Sequence, residues 1–151
     1  MRVVIQRCSH ASCTINGKKI SEIEKGFCIL VGFCATDTKD IVDKMIKKII
    51  NLRIFEDENG KMNESILAQS GSILSISQFT LYANAKKGNR PSFVDAARPE
   101  QATPLYDYFN DGLSHFVPVK TGRFGADMKI DLCNDGPVTI LLDSEVIFCK
   151  K

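Results

Sequence analysis

Two spacings organise the apolar residues of this chain. Val3 to Ile5 and Ser12 to Ile15 read as strands, and Lys18 to Ile23 returns after Asn16-Gly17, the dipeptide of a type I′ hairpin. Phe27 to Phe33 is a continuous apolar run between Gly26 and polar Thr36-Asp37, with the length of a strand buried on both faces. From Asp37 to Ile50 the period changes. Val42, Met45, Ile46 and Ile49 stand at i, i+3, i+4 and i+7, one stripe of a helix that Thr36 or Asp37 is positioned to cap. Lys39, Lys44, Lys47 and Lys48 lie mostly off that stripe, as a solvated face. Leu52 to Phe55 reads as a short strand, Asp57-Glu58-Asn59-Gly60 as a turn, and Ile73 to Tyr82 as a longer strand. Pro99 to His115 is a second helix, with Leu105, Tyr108, Phe109 and Gly112 at helical spacing and Pro99 in its first turn. Val117 to Lys120, Met128 to Leu132 and Val138 to Asp143 complete the strands. The expected fold class is α+β, with mostly antiparallel sheets covered by helices. Residues 1–151 read as a single domain.

Composition narrows the class without naming a function. Hydrophobic residues make up 44% and charged residues 25%, which excludes a disordered chain, a fibre and a coiled coil. The longest apolar stretch, Phe27 to Ala35, falls far short of the roughly 20 residues that span a bilayer. Met1 to Arg7 turns charged at once, so no signal-peptide core is expected and the protein reads as cytoplasmic. The net charge of +2 leaves room for a local basic patch that grips a polyanion. The six cysteines (Cys8, Cys13, Cys28, Cys34, Cys133 and Cys149) are expected to be reduced thiols. His10 and His115 stand far apart with no Cys pair beside them, so no metal and no cofactor are expected.

The familiar catalytic templates are missing. The sequence has no G-x-S-x-G elbow, no P-loop, no H-E-x-x-H and no dinucleotide fingerprint. Three polar segments stand out instead. Ser77-Gln78-Phe79-Thr80-Leu81 closes an apolar strand, and alternation puts Gln78 and Thr80 on one face with Leu74 and Ile76. Such groups bond to neighbouring backbone, face water at the strand end, or serve a site. Lys86-Lys87-Gly88-Asn89-Arg90-Pro91 gathers three cations in a loop, which is either solvated surface or a phosphate grip. Asn134-Asp135-Gly136-Pro137-Val138-Thr139 reads as a turn feeding a strand, and on the residues alone a trans Gly136-Pro137 bond is the default.

Taken in order, these segments resemble the D-aminoacyl-tRNA deacylase family over nearly the whole chain. The resemblance starts at Met1-Arg2-Val3-Val4-Ile5-Gln6-Arg7 and continues through Leu52-Arg53-Ile54-Phe55-Glu56-Asp57 and Lys61-Met62-Asn63. It is sharpest at Ser77-Gln78-Phe79-Thr80-Leu81, Asn89-Arg90-Pro91-Ser92-Phe93, Thr121-Gly122-Arg123-Phe124-Gly125-Ala126-Asp127-Met128 and Asn134-Asp135-Gly136-Pro137-Val138-Thr139. It implies a barrel-like core with two principal helices packed outside, in a cytosolic homodimer. It implies hydrolysis of the ester between a D-amino acid, or glycine, and the terminal adenosine of tRNA. Ser77, Gln78, Phe79 and Thr80 would form the catalytic strand. Gly136 and Pro137, joined by a cis bond in the family, would reach into the other subunit's site and select chirality with main-chain oxygens. Lys86, Lys87 and Arg90 would contact tRNA phosphates. The tRNA 2′-hydroxyl would assist the chemistry, in keeping with the missing general base. Three other readings stand beside this one: a deacylase with Thr80 as nucleophile, a non-catalytic RNA-binding module, and a small-molecule esterase using Ser77 or Thr80.

Overall fold

A computed structural model describes residues 1–149. The strands are β1 (Arg2–Ile15), β2 (Lys18–Ile23), β3 (Gly26–Gly32), β4 (Phe55–Glu56), β5 (Met62–Glu64), β6 (Ser72–Ser77), β7 (Val119–Thr121) and β8 (Lys129–Asp143). The helices are α1 (Lys39–Asn51), α2 (Pro99–Ser114) and the short α3 (Ser144–Ile147). One six-stranded sheet runs β2-β1-β3-β6-β7, with β8 on the free side of β1, and β4 and β5 form a separate pair. The first half of β1 lies between β3 and β8 and its second half between β2 and β8, while β2 also lies against β6 and β7. The sheet thereby curls toward a barrel.

The sheet is mixed. β1 pairs antiparallel with β2, β3 and β8, but β3–β6 and β6–β7 are parallel. Parallel neighbours need a long crossover, usually a helix. Here α1 lies in the connection from β3 to β6 and α2 in that from β6 to β7, and the two helices pack on each other. The expected stripe of α1 is buried: Val42, Met45, Ile46 and Ile49, joined by Ile50. On α2 the buried residues are Ala102, Leu105, Tyr106, Phe109 and Leu113. They close one core against Val3, Ile5, Phe27, Ile29 and Ile73, and a second cluster on the other sheet face gathers Cys8, Cys13, Cys28, Leu74 and Ile76.

Several local expectations change. The two strands expected before Asn16 are one 14-residue strand. Asn16 and Gly17 both take positive φ, at 50° and 75°, as a type I′ hairpin requires. The cap of α1 is Thr38, whose hydroxyl accepts from the Ile41 N–H, and neither Thr36 nor Asp37 serves. Asp37 is instead buried, accepting from the Met1 amino group at 2.6 Å and the Cys34 N–H at 2.8 Å. The strand expected over Leu52–Phe55 is only Phe55–Glu56. That expected over Ile73–Tyr82 ends at Ser77, and Phe79–Tyr82 forms a turn of 3-10 helix. The strands expected over Met128–Leu132 and Val138–Asp143 are parts of one long strand, Lys129–Asp143, that runs through the Asn134–Thr139 segment, so that segment is not a turn. Among the described residues no helix is long and apolar enough to cross a membrane.

All six cysteines are free, but only Cys133 and Cys149 are exposed. Burial pushes the Cys28 thiol up to about 12 and the Cys8 thiol up to about 11, which suppresses the reactive thiolate. In native protein at neutral pH, a thiol reagent should therefore label Cys133 and Cys149 at most, and all six after denaturation. Mass mapping of the adducts checks this, and rapid native labelling of Cys8 or Cys28 would contradict it.

Candidate active site

β3 and β6 end side by side, and their carboxyl ends frame a cavity of about 290 Å3. The seam between them shapes it. The Gln78 N–H donates to the Val31 carbonyl at 2.7 Å, carrying the pairing one residue beyond β6. The chain then crosses Gly32 closely: a Cβ there would lie 2.8 Å from the Gln78 carbonyl oxygen and 3.2 Å from the Leu81 Cβ. Any side chain at 32 would push the Gln78–Leu81 turn away. Below the turn, the Arg2 guanidinium lies 4.5 Å from the Tyr82 ring centre and donates to the Leu81 carbonyl at 2.9 Å and to Asp143 at 2.8 Å. The Tyr106 hydroxyl, its acidity suppressed by burial, ties α2 to β6 by donating to the Ser75 carbonyl at 2.7 Å.

Ser77, Gln78 and Phe79 line the cavity. Thr80 is adjacent and exposed, with its hydroxyl accepting from the Gln78 side-chain amide. Because the strand ends at Ser77, Gln78 and Thr80 do not continue the face of Leu74 and Ile76 as simple alternation expects. The opposite wall is Phe124-Gly125-Ala126-Asp127-Met128. This wall carries the longest stretch of site residues that received no role from the sequence. Its signal is a polar, glycine-containing loop between two strands.

Among the described residues, the only titratable side chain on the cavity is Asp127, which is exposed and paired with Lys129 at 3.2 Å. Neither His10 nor His115 lines it, so no serine–histidine pair forms there. Among the described residues no group of three or more His, Cys, Asp or Glu is arranged for a metal ion. Ser77 and Gln78 bring polar side chains to the cavity, and the turn beside them brings polar main chain. Phe79 and Thr80 open a helical turn, where N–H groups lack intrahelical acceptors.

The basic loop leaves beside this turn. Its base is a two-way backbone pair, with Asn84 and Ser92 each donating to the other's carbonyl at 2.8 Å. Phe93 meets the exposed Phe79 ring edge-on, centroids 5.1 Å apart, so the loop is braced against the site. Lys86, Lys87 and Arg90 are all exposed, and Lys86 borders a second, more polar hollow with Arg2, Tyr82 and Asn84.

Gly136 and Pro137 are not brought to the cavity of their own chain. They lie on an outward bulge of β8, exposed, and the bond between them is cis. In the β1–β8 ladder, Gln6 pairs with Thr139 and Cys8 with Asn134, so four residues of β8 face Arg7 alone. The buried Arg7 guanidinium fills the gap, donating to the Asp135 carbonyl at 2.8 Å and the Ile54 carbonyl at 2.7 Å. Gly136 sits at φ +142°, and a Cβ there would crowd the Val138 nitrogen at 3.0 Å. Asn134 closes the bulge: its carbonyl oxygen accepts from the Val138 N–H at 2.7 Å, and its amide donates to the Val138 carbonyl and the Thr139 hydroxyl. The sequence did carry a hint of Arg7, a cation in phase with inward-facing Val3 and Ile5.

Asn134→Ala strands the Val138 N–H, so urea denaturation should show a loss of about 1–3 kcal/mol. A loss below about 0.5 kcal/mol would mean that the bond to Val138 does not hold the bulge.

Comparison with known proteins agrees with this geometry. The family model described as D-Tyr-tRNA(Tyr) deacylase matches residues 4–143. A protein of Bacteroides fragilis (strain YCH46) named D-aminoacyl-tRNA deacylase is 60% identical over 147 residues, covering 96% of this chain and 98% of its own. One of the same name from Bacteroides thetaiotaomicron is 56% identical with the same coverage. Among solved structures, the c-Myc DNA Unwinding Element Binding Protein superposes with a TM-score of 0.90 at 44% identity, covering 95% of this chain and 98% of that one. A structure titled as a probable eukaryotic D-amino acid tRNA deacylase shares the fold, with a TM-score of 0.80 at 17% identity, covering 93% and 97%. The chain belongs to the D-Tyr-tRNA(Tyr) deacylase family and is a hydrolase that acts on ester bonds.

Proposed function

We propose that this protein, a single-domain cytosolic homodimer, cleaves the ester linking a D-amino acid, or glycine, to the terminal adenosine of tRNA. One observation carries the reading. Among the described residues, no side chain that lines the cavity is arranged as acid, base or activated nucleophile, Asp127 being exposed and paired with Lys129. An aminoacyl ester is already activated, so a positioned water, two N–H donors and the neighbouring 2′-hydroxyl suffice for its hydrolysis. The N–H groups of Phe79 and Thr80 are the donors assigned to the developing oxyanion. The Thr80 hydroxyl is a poor nucleophile here: its partner is an amide, which cannot take its proton.

Substrates of this class share an ammonium, a Cα hydrogen and an ester but differ in side chain. Handedness must then be read from the shared atoms. Two main-chain oxygens of the Gly136-Pro137 segment would accept from the ammonium. With ammonium and ester fixed, a close wall admits only hydrogen in the third direction, so D-residues and glycine fit and L-residues collide. The outward position of Gly136 and Pro137, away from their own cavity, supports completion of each site by a second copy of the chain. Lys86, Lys87 and Arg90, on the loop whose Phe93 packs against Phe79, would hold the phosphates of the tRNA end.

Hydrolysis of D-tyrosyl-tRNA against L-tyrosyl-tRNA tests the reading: the D-ester should be turned over and the L-ester spared, and equal rates would reject it. Failure to hydrolyse either ester while still binding tRNA would favour the RNA-binding module. Thr80→Ala should retain most single-turnover activity, and complete loss in a folded variant would restore Thr80 as nucleophile. Replacing Lys86, Lys87 and Arg90 by glutamine should lower the salt slope of tRNA binding by about 2–3. An unchanged slope would remove the loop from the tRNA interface.

A further inference from the structure

A second basic surface lies at the other end of the molecule's helical layer. The last turns of α1 and the residues after it form a shallow groove of about 380 Å3, with Lys44, Lys47, Lys48, Asn51 and Arg53 at its rim and Leu52 and Phe148 as its floor. Lys44 is paired with Asp40 at 2.7 Å. Lys47, Lys48 and Arg53 are exposed and have no ion-pair partner among the described residues. Among the described residues, Arg53 donates only to the neutral Asn63 side chain and no carboxylate lines the groove. Positions 47–53 carry three cations and no acid, whereas the acids of α1, Asp40 and Asp43, stand earlier, engaged by Lys44 and by the Tyr108 hydroxyl.

Its position gives the charge a use. The single guanidinium of Arg7 joins the Ile54 carbonyl, next to Arg53, to the Asp135 carbonyl, next to Gly136. The groove therefore flanks the bulge that carries Gly136 and Pro137. Resting on the reading that this bulge completes the cavity of a second copy, we infer that Lys47, Lys48 and Arg53 bind backbone phosphates of the tRNA whose aminoacyl end occupies the partner subunit's cavity. The cations of the 86–90 loop would then hold that tRNA from one subunit and this groove from the other.

The test compares two substrates. Lys47→Gln/Lys48→Gln/Arg53→Gln should bind D-tyrosyl-tRNA at least about tenfold more weakly at 0.1 M salt, with the salt slope lower by about 2–3. It should hydrolyse D-tyrosyl-adenosine, which has no phosphate, at the wild-type rate. Unchanged tRNA affinity overturns the inference and leaves the groove to an acidic protein partner. Equal loss on both substrates also overturns it, since fold damage explains that result. Should the triple variant fail to fold, Lys47→Glu alone, at an exposed position, is expected to show the same substrate split. If wild-type protein hydrolyses neither substrate, the deacylase reading itself has failed. In mixed dimers with one cavity blocked by Ala126→Trp, the loss should follow the groove on the chain opposite the open cavity. A loss that follows the groove of the same chain overturns the assignment across the interface.

Discussion

One backbone hydrogen bond, from the Gln78 N–H to the Val31 carbonyl, sets the site. It extends the parallel seam of β3 and β6 by one residue at the point where the sheet ends. Gly32, on the same seam, has no side chain to obstruct the crossing. Together they turn the chain so that Ser77, Gln78 and Phe79 face a cavity rather than continuing the apolar side of a strand. The parallel seam exists because α1 and α2 provide the two crossovers, and the core under those helices holds it in place. The cavity lies at the carboxyl ends of parallel strands, where α/β proteins commonly bind ligands.

Side chains hold the main chain around the cavity and the bulge. Arg2 ties down the Phe79–Tyr82 turn, Tyr106 anchors β6, and Arg7 and Asn134 hold the four-residue bulge on β8. Two donors of Arg7 go to carbonyl oxygens, and its charge has no carboxylate partner among the described residues. A buried cation is costly unless its donors are used. Its use here is to tie the Asp135 end of the bulge to the Ile54 carbonyl before β4. A backbone so fixed keeps its geometry whatever amino-acid side chain approaches, which suits recognition of the atoms that all aminoacyl esters share.

The readable parts of the fold were those written in local spacing. The Asn16-Gly17 hairpin and the Val42–Ile49 stripe needed only near neighbours, and both formed as expected. Pairing direction is a long-range property, so the parallel β3–β6 and β6–β7 pairs were not visible in a pattern that gives strands but not partners. The same holds for the union of Val3–Ile5 with Ser12–Ile15: Arg7 and Ser9 break the apolar run, yet one strand continues through both positions. At the site, Ser77 to Thr80 were legible as polar residues closing an apolar strand, but their orientation depended on Gly32, from a different strand. The Phe124–Met128 wall had no periodicity to mark it. The cis Gly136-Pro137 bond was implied only by the family resemblance, since the residues alone default to trans, and its distance from its own chain's cavity is visible only in three dimensions.

The central claim is that each cavity is completed by main chain from a second copy. Mixing two inactive chains tests it most directly, one with its cavity filled by Ala126→Trp and one with an extra alanine inserted after Gly136. In a mixed dimer, the intact cavity of the second chain meets the intact bulge of the first. Deacylation should therefore return to about half the wild-type rate per mixed dimer, while each variant alone stays inactive. No recovery in dimers shown to contain both chains would contradict the claim.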